Sequence, residues 1–527
     1  MKKFIYIFFS ALLFTTFAYS QGEVEANKIS RNDLYGTARG LSMGGAFGAL
    51  GGDQTGVAIN PAGIAVYRSS EIAGTINYSN ESSKVGDLTK NASDFNVDNL
   101  GFVGYFPLRS NSVPVINFGF SYNKVKSFNK EISAIGAPNS SLMDYMAYVA
   151  TAANDGKGVD PATIDGNLVD DIFATNAPWL SVLGFNSYLI DPHQDSQGFY
   201  YTPLHNEPVT NSIGLSERGS VNNYDFTVGT SIGNKFNIGA SLSITDVYYS
   251  LNSRYSEEFS NGDAAGFDLR NLLTTEGAGV GAKLGIIYRP VNSLRFGLSY
   301  HTPVWYSLID TYSAELEDNV TNYVTDTKYE PATTYSKVYD NSYRFKTPDK
   351  WVASVAGVFG NNFIASLDYE LTNYNSMKYK GNINEPNPEE AYADQNTFIS
   401  EDYKPASTVR AGIEYRFTPQ FSGRLGYAWM QNPYEADYKA GLKETAVVGS
   451  TTIYRIEGDT NYFTGGLGYK FNRNFYLDLA VVYKTQTDEL YPYPNAYNDA
   501  GTMIVDGSPF TLTNNNVRGL LTLGYRF

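Results

Sequence analysis

Residues 409–417 read VRAGIEYRF, with Val409, Ala411, Ile413, Tyr415 and Phe417 alternating with Arg410, Gly412, Glu414 and Arg416. A period of two makes this a strand with one oily face and one face of charge and glycine. Leu294, Phe296, Leu298 and Tyr300 alternate in the same way with Arg295, Gly297, Ser299 and His301. Phe475, Leu477, Leu479, Val481 and Tyr483 oppose Tyr476, Asp478, Ala480 and Lys484. Bulky apolar residues on one side and charges on the other suit a barrel strand in lipid, oily outside and wet inside. A soluble sandwich also alternates, but its turns are short at both ends.

The connections separate the two. Short turns fall at 107–114, 233–235, 289–293, 360–362, 418–420 and 472–474, and longer polar connections at 79–94, 130–219, 257–274, 311–341, 381–404, 432–453 and 488–514. Short and long alternate down the chain, as tight periplasmic turns and long extracellular loops do. The spacing predicts an all-β transmembrane antiparallel barrel of about 14 strands, an even number that leaves no free edge and places both termini in the periplasm. Leu521, Leu523, Tyr525 and Phe527 form the outward face of the terminal strand.

Residues 1–20 carry Lys2 and Lys3, an apolar run and a small-residue end, the order of a cleaved secretory signal peptide. The run is too short to span a bilayer as a helix, and no other stretch is long enough. The predicted organisation is a signal peptide at 1–20, a hatch at 21–70 and a barrel at 71–527 with a large extracellular insertion at 128–218. The net charge of −15 argues against nucleic acid as a partner. Cysteine is absent, so stability does not rest on disulfides.

Residues 32–67, NDLYGTARGLSMGGAFGALGGDQTGVAINPAGIAVY, lack bulky side chains and cannot form a core alone. Gly44, Gly45 and Gly48 let another backbone approach closely, and Asn60, Pro61 and Ala62 form a capped turn. A glycine-rich N-terminus, this Asn-Pro-Ala turn and about fourteen strands together resemble the FadL/TodX family of outer-membrane transporters of long-chain fatty acids and other hydrophobic compounds. The resemblance implies a hatch that plugs the lumen and sideways release of substrate at a kink in the third strand, here around 119–123. Separately, a terminal strand that ends in Tyr525 and Phe527 resembles the signal read by the barrel assembly machinery, and the expected setting is the lipid and lipopolysaccharide of a Gram-negative outer membrane.

The long insertion contains Leu142, Met146, Phe173, Trp179, Leu183 and Phe185. So much apolar bulk facing water must pack on itself or capture something oily. Lys283, Arg295, Asp368, Arg410, Glu414 and Arg424 read as a charge ladder inside the lumen. His193 and His205 lie at no metal-ligand spacing, so neither a metal nor a cofactor is expected. No phosphate loop or nucleophile triad is present, and no enzyme is expected. The leading reading is a monomeric transporter of hydrophobic small molecules. Haemin reception and a structural or adhesive barrel are the alternatives.

Overall fold

The computed structural model describes residues 22–204, 208–260, 266–318, 333–360, 362–447, 449–498 and 500–527. The predicted signal peptide and His205 lie outside the described residues. The chain forms a closed antiparallel barrel of 14 strands. The first strand (Glu71–Val85) pairs with the second (Leu88–Pro107) and with the fourteenth (Phe510–Arg526), which closes the sheet. The third runs as Val115–Ser127 and Lys130–Gly136, and the fourth, fifth and sixth are Val209–Ile232, Phe236–Phe259 and Gly266–Val291. The next three are interrupted: the seventh is Leu294–His301 and Trp305–Asp318, the eighth Tyr339–Lys346 and Lys350–Phe359, the ninth Phe363–Asn373 and Lys378–Gly381. The tenth to thirteenth are Pro405–Arg416, Phe421–Met430, Thr460–Lys470 and Phe475–Tyr491.

Alternation sets which way each side chain points. Phe296, Leu367, Ile413, Leu425 and Leu479 are 43 to 63% exposed on the outside of the barrel. Asp368, Glu414, Arg424, Asp478 and Lys283 are buried on the lumen side, with Arg295 and Arg410 partly buried beside them. The short turns lie at the end that holds Glu71 and Arg526.

Two expected loops are strands instead. Residues 79–94 form a hairpin that stays paired to Val85↔Leu88, and the 257–274 connection is largely ladder, with pairing to Glu258↔Gly266. The reason is chemical: beyond the bilayer both faces of a strand meet polar surroundings. In the first strand Ser79, Glu81 and Ser83 point inward while Asn80, Ser82 and Lys84 point outward, so the hydropathy contrast vanishes while the hydrogen bonds continue.

The N-terminal segment also departs from expectation. Helix α1 (Glu23–Ser30) lies under the extracellular loops, where Tyr379 Oη donates to Gly22 O (3.2 Å) and Tyr403 Oη to Glu23 O (2.9 Å). From there the chain descends the lumen through α2 (Ala38–Ser42), α3 (Gln54–Ile59) and a 3-10 turn (Pro61–Val66) to the first strand. Only the C-terminal end of the described chain is at the periplasmic face.

The insertion folds as a cap. Helix α4 (Leu142–Gly156) starts from a capping box at Ser141 and packs on α5 (Trp179–Asn186). Leu142, Met146, Phe173, Trp179 and Leu183 are buried in its core and Phe185 packs partly buried against it, so none presents an open face to water. Glu257 at the outer end of the fifth strand accepts from Ser141 Oγ (2.5 Å) and Leu142 N (2.7 Å), which fastens the cap.

Leu479→Arg places a charge on the lipid face near mid-membrane and should cost about 2–4 kcal/mol, with Ala480→Ser on the lumen face much milder. Heat-modified gel mobility of the two variants checks this. Equal loss of folded protein at both positions would contradict the register.

Candidate functional site

The hatch is built from short capped pieces. Thr37 caps α2 by accepting from Gly40 N, and its hydroxyl donates to Asp53 Oδ1 (2.7 Å). Asp53 in turn caps α3, accepting from Thr55 N at 2.9 Å. Asn60 Oδ1 accepts from Ala62 N (3.1 Å), while Asn60 Nδ2 donates to Gly48 O (2.8 Å) and to Ile286 O in the sixth strand (3.2 Å). One side chain thus ties the turn, the glycine run and the barrel wall together. Pro61 opens the turn that follows, where its missing N–H needs no partner.

Helices this short leave many backbone groups without intrahelical partners. The lumen wall supplies them. Thr522 Oγ1 accepts from Ala38 N (2.8 Å), Thr464 Oγ1 from Gly44 N (3.0 Å) and Asp368 Oδ2 from Gly48 N (2.9 Å). In the other direction Arg518 donates to Leu34 O (2.8 Å), Arg295 to Leu50 O (2.6 Å), Ser299 Oγ to Ile59 O (2.8 Å) and Asn117 Nδ2 to Ile64 O (2.8 Å). His301 Nε2 donates to the same Ile59 carbonyl at 2.7 Å, which explains a lone lumen histidine without metal or nucleophilic chemistry.

Close approach depends on glycine in the wall as well as in the hatch. A Cβ at Gly285 would overlap Asn60 Oδ1, one at Gly239 the Pro61 carbonyl, one at Gly412 the Met43 carbonyl and one at Gly426 the Gly44 amide. Gly297 faces Gly48 O, and Gly119 and Gly229 face Ile64. Each lies on the lumen face, a few residues from a periplasmic strand end, so together they form a band around the hatch. In the hatch, a Cβ at Gly44 would come 2.7 Å from Tyr427 O, and Gly44 has φ +66°, a conformation that favours glycine.

Ion pairs complete the fastening. Arg39 of α2 pairs with Glu414 (3.0 Å), Glu414 with Arg424 (2.7 Å) and Arg424 with Asp478 (2.5 Å). Lys283 pairs with Asp225 (2.9 Å) and Arg410 with Glu370 (2.6 Å). Asp33 pairs with Lys484 at 2.7 Å; burial pushes its carboxyl up, but Lys484 and Lys126 outweigh that and hold it below the usual range. At the outer end Glu23 is raised well above the usual range, first by burial and then by Asp402 beside it.

Above the hatch the wall changes. The ladder between the second and third strands ends at Asn99↔Asn123. Next to that point the third strand bulges at Val125, between Lys124↔Asn222 and Lys126↔Val221. The Val125 carbonyl accepts from Asp33 N of the hatch at 2.9 Å. The irregularity is therefore just beyond the 119–123 region, because Gly119 is committed to the close packing of Ile64 within regular pairing. Across the unpaired stretch Lys124 donates to Asn96 Oδ1. A cavity of about 170 Å³ reaches this point, lined there by Asp33, Asn123, Lys124 and Val125. A smaller one of about 60 Å³ lies beside it among Lys126, Lys130, Lys484 and Arg518.

The structure thus brings Gly44, Gly45, Gly48, Asn60, Pro61 and Ala62 to one hatch–wall contact that Arg295, Asp368, Arg410 and Glu414 join directly, while Arg424 reaches it through Glu414 and Lys283 pairs with Asp225 within the wall. It does not bring the cap residues there. His193 instead stacks on Tyr200 (5.1 Å) and meets Thr202 Oγ1 at 3.0 Å. Apart from Gly119, the wall glycines were not singled out from sequence, nor were Asn117, Thr464, Thr522 and the Val125 bulge, although one lumen-facing glycine near the periplasmic end of strand after strand is a readable signal.

A family model described as outer membrane protein transport protein (OMPP1/FadL/TodX) matches residues 209–527. The chain belongs to this family. It is accordingly an outer-membrane protein that transports hydrophobic compounds, and not an enzyme. Among solved structures, a Pseudomonas aeruginosa FadL homologue aligns with a TM-score of 0.53 at 13% identity, covering 94% of this chain and 100% of that one. The Ralstonia pickettii toluene transporter TbuX aligns with a TM-score of 0.50 at 14% identity, covering 94% and 99%. No curated protein matches the chain. The FadL/TodX match begins at the fourth strand, so the hatch and cap are read from this structure alone.

Asn60→Ala removes a cap and two ties to carbonyls, and should loosen the hatch by about 1 kcal/mol or more without unfolding the barrel. Nitrocefin influx into cells, with heat-modified mobility as the folding control, checks this. Raised influx at normal barrel abundance is expected.

Proposed function

We propose that this protein takes up long-chain amphiphiles of the fatty-acid type and releases them sideways into the bilayer through the gap between the second and third strands. The observation that carries the reading is the hydrogen bond from Asp33 N to the Val125 carbonyl. It joins the hatch directly to the bulge beside the gap, so a shift of the hatch is felt at the opening. The cavity reaching that point is large enough for part of an acyl chain. Of the cations beside it, Lys484 and Lys130 are paired with Asp33 and Glu81, and Arg518 is the one that suits an anionic head group. Arg518 Nη1 is buried there with no hydrogen-bond partner among the described residues.

Capture is the less direct step. The cap's apolar side chains are packed in its own core, so first contact with solute through Leu142, Met146, Phe173, Trp179, Leu183 or Phe185 requires the cap to loosen. Gly44, Gly45, Gly48, Asn60, Pro61 and Ala62 act as the gate, held by Arg295, Asp368 and Glu414 of the ladder. Tyr525 and Phe527, about half exposed at the end of the terminal strand, serve as the assembly signal of a monomeric barrel.

Deleting Val125 removes the extra residue of the bulge and restores an unbroken register. Uptake of radiolabelled oleate by cells should fall to the level of cells lacking the protein, with folded barrel retained. Undiminished oleate uptake would contradict release at this gap.

A further inference from the structure

We propose that the barrel wall holds a second lateral portal, at a seam between the seventh and eighth strands, through which uncharged apolar solutes exchange between the outer leaflet and the lumen. The inference rests on the transport reading but concerns the opposite side of the cavity from the Val125 gap.

Three neighbouring strands lose their ladder at one height. Regular pairing of the seventh and eighth strands stops at His301↔Lys350 and resumes at Trp305↔Lys346. Pairing of the eighth and ninth stops at Lys350↔Thr372 and resumes at Lys346↔Lys378, across a 3-10 turn at Tyr374–Ser376. Pro303 and Pro348 sit in the interruptions, and proline has no amide to give to a ladder.

A threonine hydroxyl stitches the seam in place of a backbone carbonyl: Thr347 Oγ1 accepts from Val304 N (2.8 Å). At the neighbouring junction with the sixth strand Thr302 Oγ1 accepts from Ala282 N (2.9 Å), beside a backbone bond from Thr302 N to Ala282 O (2.9 Å). One backbone bond, from Thr347 N to Val304 O (3.1 Å), spans the seventh and eighth strands there. A hydroxyl can be withdrawn by rotating one side-chain torsion, whereas a ladder bond breaks only if the strand moves.

Both sides of the seam suit an oily solute. The cavity of about 170 Å³ that touches Val125 on one side is lined on this side by Val304, Tyr306, Thr347 and Pro348. Outside, Trp305 and Trp351 are 52% and 46% exposed, and Trp351 lies 4.6 Å from the Tyr300 ring. Tryptophan and tyrosine on a barrel exterior mark the membrane–water interface. The seam therefore lies where the outer leaflet begins. His301, Lys350 and Glu370 also line this side, but its charges are paired with one another, Glu370 with Lys350 (3.8 Å) and with Arg410 (2.6 Å), whereas Arg518 Nη1 beside the Val125 gap has no hydrogen-bond partner among the described residues, which is why an uncharged solute is assigned to the seam.

The chain has no cysteine, so a disulfide can be placed without background. The pair V304C/T347C spans the seam, and T227C/S241C, on directly opposed residues of the fourth and fifth strands, spans an unbroken ladder as a control. Toluene uptake is measured in cells for each pair, oxidised and then reduced, beside cells lacking the protein. Oxidation of the seam pair should slow uptake about threefold, as closing a gating step does, and reductant should restore it; the control pair should not respond. Thr347→Val keeps the volume but removes the stitch, and should speed uptake. A seam lock that runs at the control rate, with Thr347→Val unchanged, overturns the portal and leaves transport standing. Equal toluene uptake with and without the protein overturns the transport of this probe and the portal with it.

Discussion

A pore can be plugged by folded backbone only if the plug's amides and carbonyls find partners inside it. That constraint organises this molecule. Below α1 the hatch is made of helices of five and six residues and a 3-10 turn, all too short to satisfy themselves. Wall threonines, an aspartate, an asparagine and arginines meet the groups left over, and the glycine band lets the hatch come close enough for them to do so. The polar lumen face is thus a complement to one particular piece of chain as well as a wet channel surface.

The same contact gives the plug its capacity to move. Each tie is a neutral or ionic hydrogen bond of modest net worth, about 0.5–1.5 kcal/mol for a neutral one, and the ties are spread over strands on every side. In the proposed mechanism a solute that replaces a few of them shifts the hatch while the barrel stays folded. In the same proposal the link to the bilayer is the Val125 carbonyl, since a bulged residue has a backbone group to spare.

Much of the barrel was legible in the sequence because lipid outside and water inside force a contrast between alternate residues, as at Ile413 and Glu414. Where that contrast ends, legibility ends: the outer parts of the first, second, fifth and sixth strands are ladder but polar on both faces, and read as loops. Asn60 was readable as a cap because Asn-Pro is local chemistry. Its bond to Ile286 O was not, since it joins residues far apart in sequence. The cap's apolar residues were visible as a group, but whether they faced one another or a solute depended on how α4 and α5 pack. The position of α1 beneath the extracellular loops had no sequence signal beyond its polarity, as its partners are tyrosines scattered over the ninth to eleventh strands' connections.

The central claim is that the hatch must move for solute to pass. Gly48 and Ser354 lie so close that a Cβ at Gly48 would overlap Ser354 Oγ, and Gly48 has no positive φ that would exclude a side chain. The most direct measurement is oleate uptake by the G48C/S354C variant, oxidised and then reduced. Uptake that is lost on oxidation and returns with reductant is the predicted result. Undiminished uptake with the disulfide formed would contradict the account.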